Sequence, residues 1–170
     1  SAHSMRLITI LVISLSLMGC GGAAAPPPSA ASPLLSRPLP EFRRADLSGS
    51  TINTKQLGGS VVVVKFFAKY CVPCRKTLPA TQALSQERPD VRFLGVSVDE
   101  SERDAREMVS QYGLTFPVLY DRGAVLAGRF RIAELPATFV VGKSGNVVWV
   151  GTDSVDEASL AAAIDDAAGR

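Results

Sequence analysis

Histidine is nearly absent from this chain of 170 residues: the single one, His3, lies in Ser1-Ala2-His3-Ser4 ahead of Met5. Residues 1–4 read as an expression remnant, and setting them aside leaves no imidazole for acid–base catalysis or metal binding. Cysteine is scarce as well, with only Cys20, Cys71 and Cys74. A second Cys pair is missing, so a zinc site with its usual three or four protein ligands cannot be assembled around the first. Blocks of like charge are also missing. The 18 basic and 16 acidic residues leave a net charge of +2, and Arg43, Arg44, Arg129 and Arg131 are scattered among apolar neighbours. That pattern gives no support to a nucleic-acid or acidic-polymer partner. There is no internal repeat.

What is present suits one soluble globular domain with some extra chain, since 46% of the residues are hydrophobic and 20% charged. From Met5 the order is one basic residue (Arg6), an apolar run from Leu7 to Leu17, then small residues ending in Cys20. This is the order of a secretory signal over residues 5–20, and the run is too short to span a bilayer comfortably. Leu17-Met18-Gly19-Cys20 resembles the lipobox of bacterial lipoproteins, which implies a lipid on Cys20 as the membrane anchor; a buried helix that happens to end in cysteine is the plainer alternative. Residues 21–40 are rich in Ala, Pro and Ser, including Pro26-Pro27-Pro28. Such a stretch is expected to bury no core and to act as an extended spacer, holding the domain of residues 41–170 some tens of ångströms from the membrane at about 3.1 Å per residue.

From Glu41 on, short apolar runs alternate with helical stretches, the pattern of βαβ units and an α/β fold. A hairpin is expected over Phe42–Ile52, turning at Ser48-Gly49. Val61–Val64 continuing through Phe66-Phe67 reads as a central strand covered on both faces. A helix is expected from Cys71 to about Glu87, bent at Pro79, and a second buried strand over Val91–Val98. Ser101 is placed to cap a helix through Tyr112. A strand over Phe116–Tyr120 and a brief helix near Ala124–Phe130 follow. Thr138–Val141 and Val147–Val150 form a second hairpin, with Gly145 in its turn. The last helix is expected to open at Asp153 or Ser154 and to end near Ala168.

Cys71-Val72-Pro73-Cys74 carries the chemistry. Two cysteines three apart at a helix start can bring their sulfurs within bonding distance. The unpaired amides and the macrodipole there favour the thiolate of Cys71, which is then the nucleophile, with Cys74 deeper and resolving the mixed disulfide. Arg75 and Lys76 add positive potential, and Pro73 fits a first helical turn. A purely structural disulfide is the competing reading, although such bridges usually close longer loops.

Phe66-Phe67-Ala68-Lys69-Tyr70-Cys71-Val72-Pro73-Cys74-Arg75-Lys76 resembles the active-site segment of the TlpA/ResA-like branch of the thioredoxin superfamily. Leu135-Pro136-Ala137-Thr138-Phe139 is similar to that family's cis-proline segment. Val96–Ser101 and Tyr112–Val118 match in order and spacing, so the similarity runs from Glu41 to Ala168. It implies a thioredoxin-like fold, a central mixed β-sheet flanked by helices with an N-terminal β-hairpin extension. It also implies a cis Pro136 facing the cysteines, with the Leu135 backbone pairing with a bound substrate chain. A trans proline at a strand start is the alternative.

Three departures from that family stand out. Lys65 occupies the position, six before the first cysteine, of a buried Asp or Asn. Thr77 stands where a carboxylate commonly follows the second cysteine, and Phe67 and Tyr70 replace tryptophans. Lys65 is expected either to perturb the thiols as a buried, deprotonated base toward Cys74 or to snorkel to the edge. Glu100 and Asp99 are candidates for the missing carboxylate, with solvated loop acids as the alternative.

The resemblance implies a monomeric thiol:disulfide oxidoreductase with no cofactor, related to the DsbE/CcmG proteins. It would act on cysteine-containing exported proteins at the periplasmic or other extracytoplasmic face, reductively, as in cytochrome c or metalloprotein maturation. A membrane thiol transporter would supply its electrons. Two rivals share the fold. A peroxiredoxin-like peroxidase needs a Thr-x-x-Cys pocket, and a Sco-like copper chaperone needs wider cysteine spacing and a distal histidine. Neither feature surrounds Cys71.

Overall fold

A computed structural model describes residues 24–170; His3, the apolar run and Cys20 lie outside the described residues. A short antiparallel hairpin comes first, β1 (Arg43–Ala45) and β2 (Thr51–Asn53). Its turn is held by Asp46, whose Oδ1 accepts from the amides of Ser48 and Ser50, both at 2.9 Å. There follow β3 (Val62–Phe67), α1 (Cys74–Glu87), β4 (Arg92–Ser97), α2 (Glu102–Gln111), β5 (Val118–Tyr120), α3 (Val125–Arg129), β6 (Ala137–Val141), β7 (Val147–Gly151) and α4 (Glu157–Ala168). The main sheet has the order β5-β4-β3-β6-β7. Its β3, β4 and β5 are parallel, and β6 and β7 are antiparallel to their neighbours. This is the mixed sheet of a thioredoxin-like fold.

All six residues of β3 are buried, as a central strand under two layers requires. Its alternate residues feed two cores. Val63 and Phe67 join Leu78 and Leu84 of α1, Met108 of α2 and Leu160 and Ile164 of α4. Val62, Val64 and Phe66 join Leu126 of α3, Phe130, Phe139 and Phe42 of the hairpin region. In this second core Phe66, Phe130 and Phe139 stack at ring separations of 4.8–6.0 Å, within the range that favours tilted and edge-on aromatic pairs. In β4, Gly95 lets Phe116, Val118 and Phe67 close in; a Cβ there would lie 3.0–3.1 Å from all three.

Three expectations change. The first helix begins at Cys74, not Cys71, because Cys71–Pro73 form a turn in which the Cys74 amide donates to the Cys71 carbonyl at 3.2 Å. Pro79 sits within α1. The last helix is capped by Asp156 rather than Asp153 or Ser154, its carboxylate accepting from the Ser159 amide at 2.8 Å. The expected spacer is in large part docked. The Ala30 amide donates to the Val150 carbonyl at 2.7 Å, the Ser36 amide to Val147 at 2.8 Å and the Leu39 amide to Gly145 at 2.9 Å. Trp149 Nε1 donates to the Pro27 carbonyl at 2.9 Å. Leu34 and Leu35 pack on the second core, and Leu39 belongs to it. The reason is topological: β7 is an edge strand whose free amides and carbonyls pair with any extended chain nearby, which composition does not register.

Candidate active site

The carboxyl ends of the parallel strands β3, β4 and β5 meet at one end of the sheet, and β6 starts there with Ala137 opposite Phe66. From β3 the chain runs through Ala68, Lys69 and Tyr70 to Cys71. Asp99, past the end of β4, fixes that crossing: Oδ1 accepts from the Lys69 amide and Oδ2 from the Ser97 hydroxyl, both at 2.8 Å. The Lys69 ammonium reaches forward to Asp104 at 3.1 Å and Glu107 at 2.7 Å on α2.

Cys71 and Cys74 are joined as a disulfide, with Cα atoms 5.3 Å apart. Their accessibility differs in the sense that decides reactivity: Cys71 is 6% exposed and Cys74 not at all. An incoming thiolate or disulfide therefore meets the Cys71 sulfur first. That sulfur accepts from the Cys74 amide at 3.2 Å, the first residue of α1. Although Cys71 precedes the helix, its Sγ still faces a helix-start N–H, which favours a thiolate there once the bond opens. Beside it Tyr70 and Val72 are 66% and 65% exposed, forming an apolar rim around the reactive sulfur. The Leu135–Pro136 bond is cis, and Pro136 precedes β6 at the same sheet end as the Cys71 loop.

Lys65 does not snorkel. It is fully buried between Val63 and Phe67 on the strand face that carries the Cys71–Cys74 core, and its Nζ lies 3.0 Å from Thr138 Oγ1. Burial pulls its pKa from 10.5 to about 7, because a charged ammonium loses its hydration there. Thr77, on α1, is buried with its Oγ1 lacking a hydrogen-bond partner among the described residues. Of the two candidate carboxylates, Asp99 has both oxygens committed to Lys69 and Ser97, so it positions the loop. Glu100 is exposed, and its carbonyl accepts from the Tyr120 hydroxyl at 2.8 Å. Tyr70 belongs to the rim. Sequence reasoning missed Thr138 and Ser97, because both act through cross-strand or loop contacts that register alone determines.

Among the described residues no group of three or more His, Cys, Asp or Glu side chains is gathered to hold a metal ion, and no helix is long and apolar enough to cross a membrane. The arrangement is that of a dithiol–disulfide couple: one sulfur accessible beside a helix-start amide, the second buried behind it.

The profile of the AhpC/TSA family matches residues 35–150. The thiol-disulfide oxidoreductase ResA of Bacillus anthracis is 33% identical over 116 residues, covering 67% of this chain and 67% of that protein. A solved putative thioredoxin from Neisseria meningitidis superposes with a TM-score of 0.69 at 26% identity, covering 75% of this chain and 87% of the other. The exposed lipoprotein thioredoxin Etrx1 of Streptococcus pneumoniae shares the fold, with a TM-score of 0.67 at 22% identity over 75% of this chain and 99% of that one. The chain belongs to the AhpC/TSA family, as a thioredoxin-like thiol-disulfide oxidoreductase of the ResA type.

Proposed function

We propose that the protein reduces disulfides in exported, cysteine-containing proteins on the extracytoplasmic side of a membrane, as in cytochrome c or metalloprotein maturation. A lipid on Cys20 anchors it, and a membrane thiol donor restores its dithiol. The observation that carries the reading is the pairing of an accessible Cys71 sulfur with a fully buried Cys74. In the reduced protein the Cys71 thiolate attacks one sulfur of the target disulfide, and the other leaves as a thiolate that takes up a proton. Cys74 loses its proton and attacks Cys71 Sγ, which releases the second target thiol and restores the Cys71–Cys74 bond. Two electrons pass to the target.

Lys65 takes the Cys74 proton in this reading. Its support is its full burial on the strand face whose core holds Cys71 and Cys74, and an amine whose pKa burial lowers to about 7, so that a substantial share is unprotonated at neutral pH. The Leu135 carbonyl and amide pair with the target backbone beside Pro136, and the Tyr70–Val72 rim covers the target's apolar neighbours. The peroxidase rival meets an obstacle here, since Ala68 stands three residues before Cys71 where that pocket needs a threonine.

Insulin reduction driven by dithiothreitol tests the activity. Wild type is expected to accelerate it, Cys71→Ser to abolish the acceleration, and Cys74→Ser to accumulate Cys71 mixed disulfides. Rates equal to the uncatalysed reaction with wild type would reject the reading. Mass spectrometry of Cys74→Ser adducts from a membrane-anchored host preparation identifies the targets.

A further inference from the structure

The docked segment changes where the chain enters the domain. Along β7 the segment runs antiparallel: Val150 donates to Ser29 Oγ at 2.9 Å and Ala30 to the Val150 carbonyl at 2.7 Å, whereas Ser36 pairs with Val147 and Leu39 with Gly145. Register fixes what those two ends mean. Val150 lies opposite Phe139, one position from Thr138, which pairs with Lys65. The Pro27–Ala30 end therefore sits at the sheet end where β3 hands over to the Cys71 loop. Gly145 and Asn146 form the turn at the far end.

The start of α4 closes the link to the redox pair. Pro27 and Pro28 border a cleft with Thr152, Val155 and Ser159. Asp156, in the same stretch, has its carboxyl held below the usual range by the hydrogen bonds from Ser159 and, less strongly, by the charge of Lys76 on the first turn of α1.

We propose that the docked segment from Pro27 to Leu39 turns the Cys71–Cys74 end of the domain toward the membrane that holds Cys20, so that its redox partner is a thiol or disulfide at the bilayer surface. This rests on the reading of Cys20 as the lipid-bearing residue. Chain length supports it. Cys20 and Pro27 are seven residues apart, about 25 Å at full extension. With the segment undocked, the chain would first meet the domain near Phe42, whose neighbour Glu41 borders a cleft with Val62, Val141 and Gly142 at the opposite end of the sheet. The tether would then be 22 residues, about 75 Å at full extension, and the redox pair would be free to face away. Docking thus reverses the presented end and shortens the leash about threefold, which raises the effective concentration of the Cys71 sulfur at the surface.

The test uses the full lipidated chain, pre-reduced with dithiothreitol and desalted, on vesicles of phosphatidylethanolamine and phosphatidylglycerol. A fraction of the lipids carries a pyridyl disulfide on the headgroup. Each turnover releases one thiopyridone and one lipid thiol and forms one Cys71–Cys74 disulfide, so absorbance counts events. A water-soluble pyridyl disulfide is the reference substrate. Ala30→Pro/Ser36→Pro removes two of the docking amides, and at Ser36 the backbone φ of 61° is closed to proline. We expect the ratio of headgroup to soluble rate to fall roughly tenfold in this variant, with the soluble rate unchanged. An equal ratio in wild type and variant would overturn the orientation.

Wild type inert toward both substrates would instead overturn the oxidoreductase reading, and a chain that washes off the vesicles would overturn the anchor and the proposal with it. Should the double variant lose its soluble rate, Trp149→Phe, which removes only the indole bond to Pro27, decides. A smaller fall in the same ratio is expected, and none would overturn the proposal.

Discussion

Replacing Lys65 by methionine should remove a pH dependence of stability that the wild type carries. The folded-state pKa of Lys65 is pulled from 10.5 to about 7 by burial. Between those values the unfolded chain binds a proton that the folded chain does not, so stability rises with pH across this window. Below pH 7 both states are protonated and the full cost of a buried ammonium applies. At about 1.4 kcal/mol per pH unit, the fall from 10.5 to about 7 corresponds to about 5 kcal/mol. Methionine fills the same space without that cost but strands the buried Thr138 hydroxyl, at about 1–3 kcal/mol. The burial effect is the larger, so Lys65→Met should be more stable than wild type at pH 6 by about 2–4 kcal/mol. Urea denaturation of the oxidised proteins from pH 6 to 9 is the assay, since the disulfide-bonded cysteines do not titrate. Wild type should gain about 3 kcal/mol over that range relative to the variant. Parallel pH profiles for the two proteins would refute the argument and, with it, an unprotonated Lys65.

The same substitution should move the Cys74 thiol pKa in the reduced protein, read from the pH dependence of alkylation; an unchanged value would reject Lys65 as its proton acceptor. Asp99→Ala leaves the Lys69 amide and Ser97 hydroxyl without their acceptor, and should lower thermal stability by about 1–3 kcal/mol and slow insulin reduction by loosening the Cys71 loop. A Cβ at Gly151 would fall 2.2–2.6 Å from Val155 and the Trp149 ring. Gly151→Ala should therefore displace the chain's single tryptophan from its Pro27 contact and shift its fluorescence to the red. Phe130→Ala, at a fully buried ring stacked on Phe66 and Phe139, should cost about 3–5 kcal/mol through the cavity it leaves while sparing the redox chemistry of any folded protein.

The α/β class and the strand–turn–helix placement of Cys71 and Cys74 could be read from the chain because they depend on local signals. A run of β-branched residues, a Cys-x-x-Cys at a helix start and a Ser101 cap each act within a few residues of themselves. The sequence places the start of α1 one turn too early because Pro73 suits both a tight turn and a helix entry, and only the Cys71–Cys74 geometry chooses between them. What tertiary structure alone decided depends on groups far apart in sequence. Lys65 is a buried amine rather than a snorkelling one because Thr138 meets it across a strand pair, in a strand whose six residues are all buried. Asp99 became a loop clamp because β4 ends beside Lys69. The Ala/Pro/Ser stretch, unable to form a core of its own, was captured by the open edge of β7, a surface that exists only once the sheet has formed.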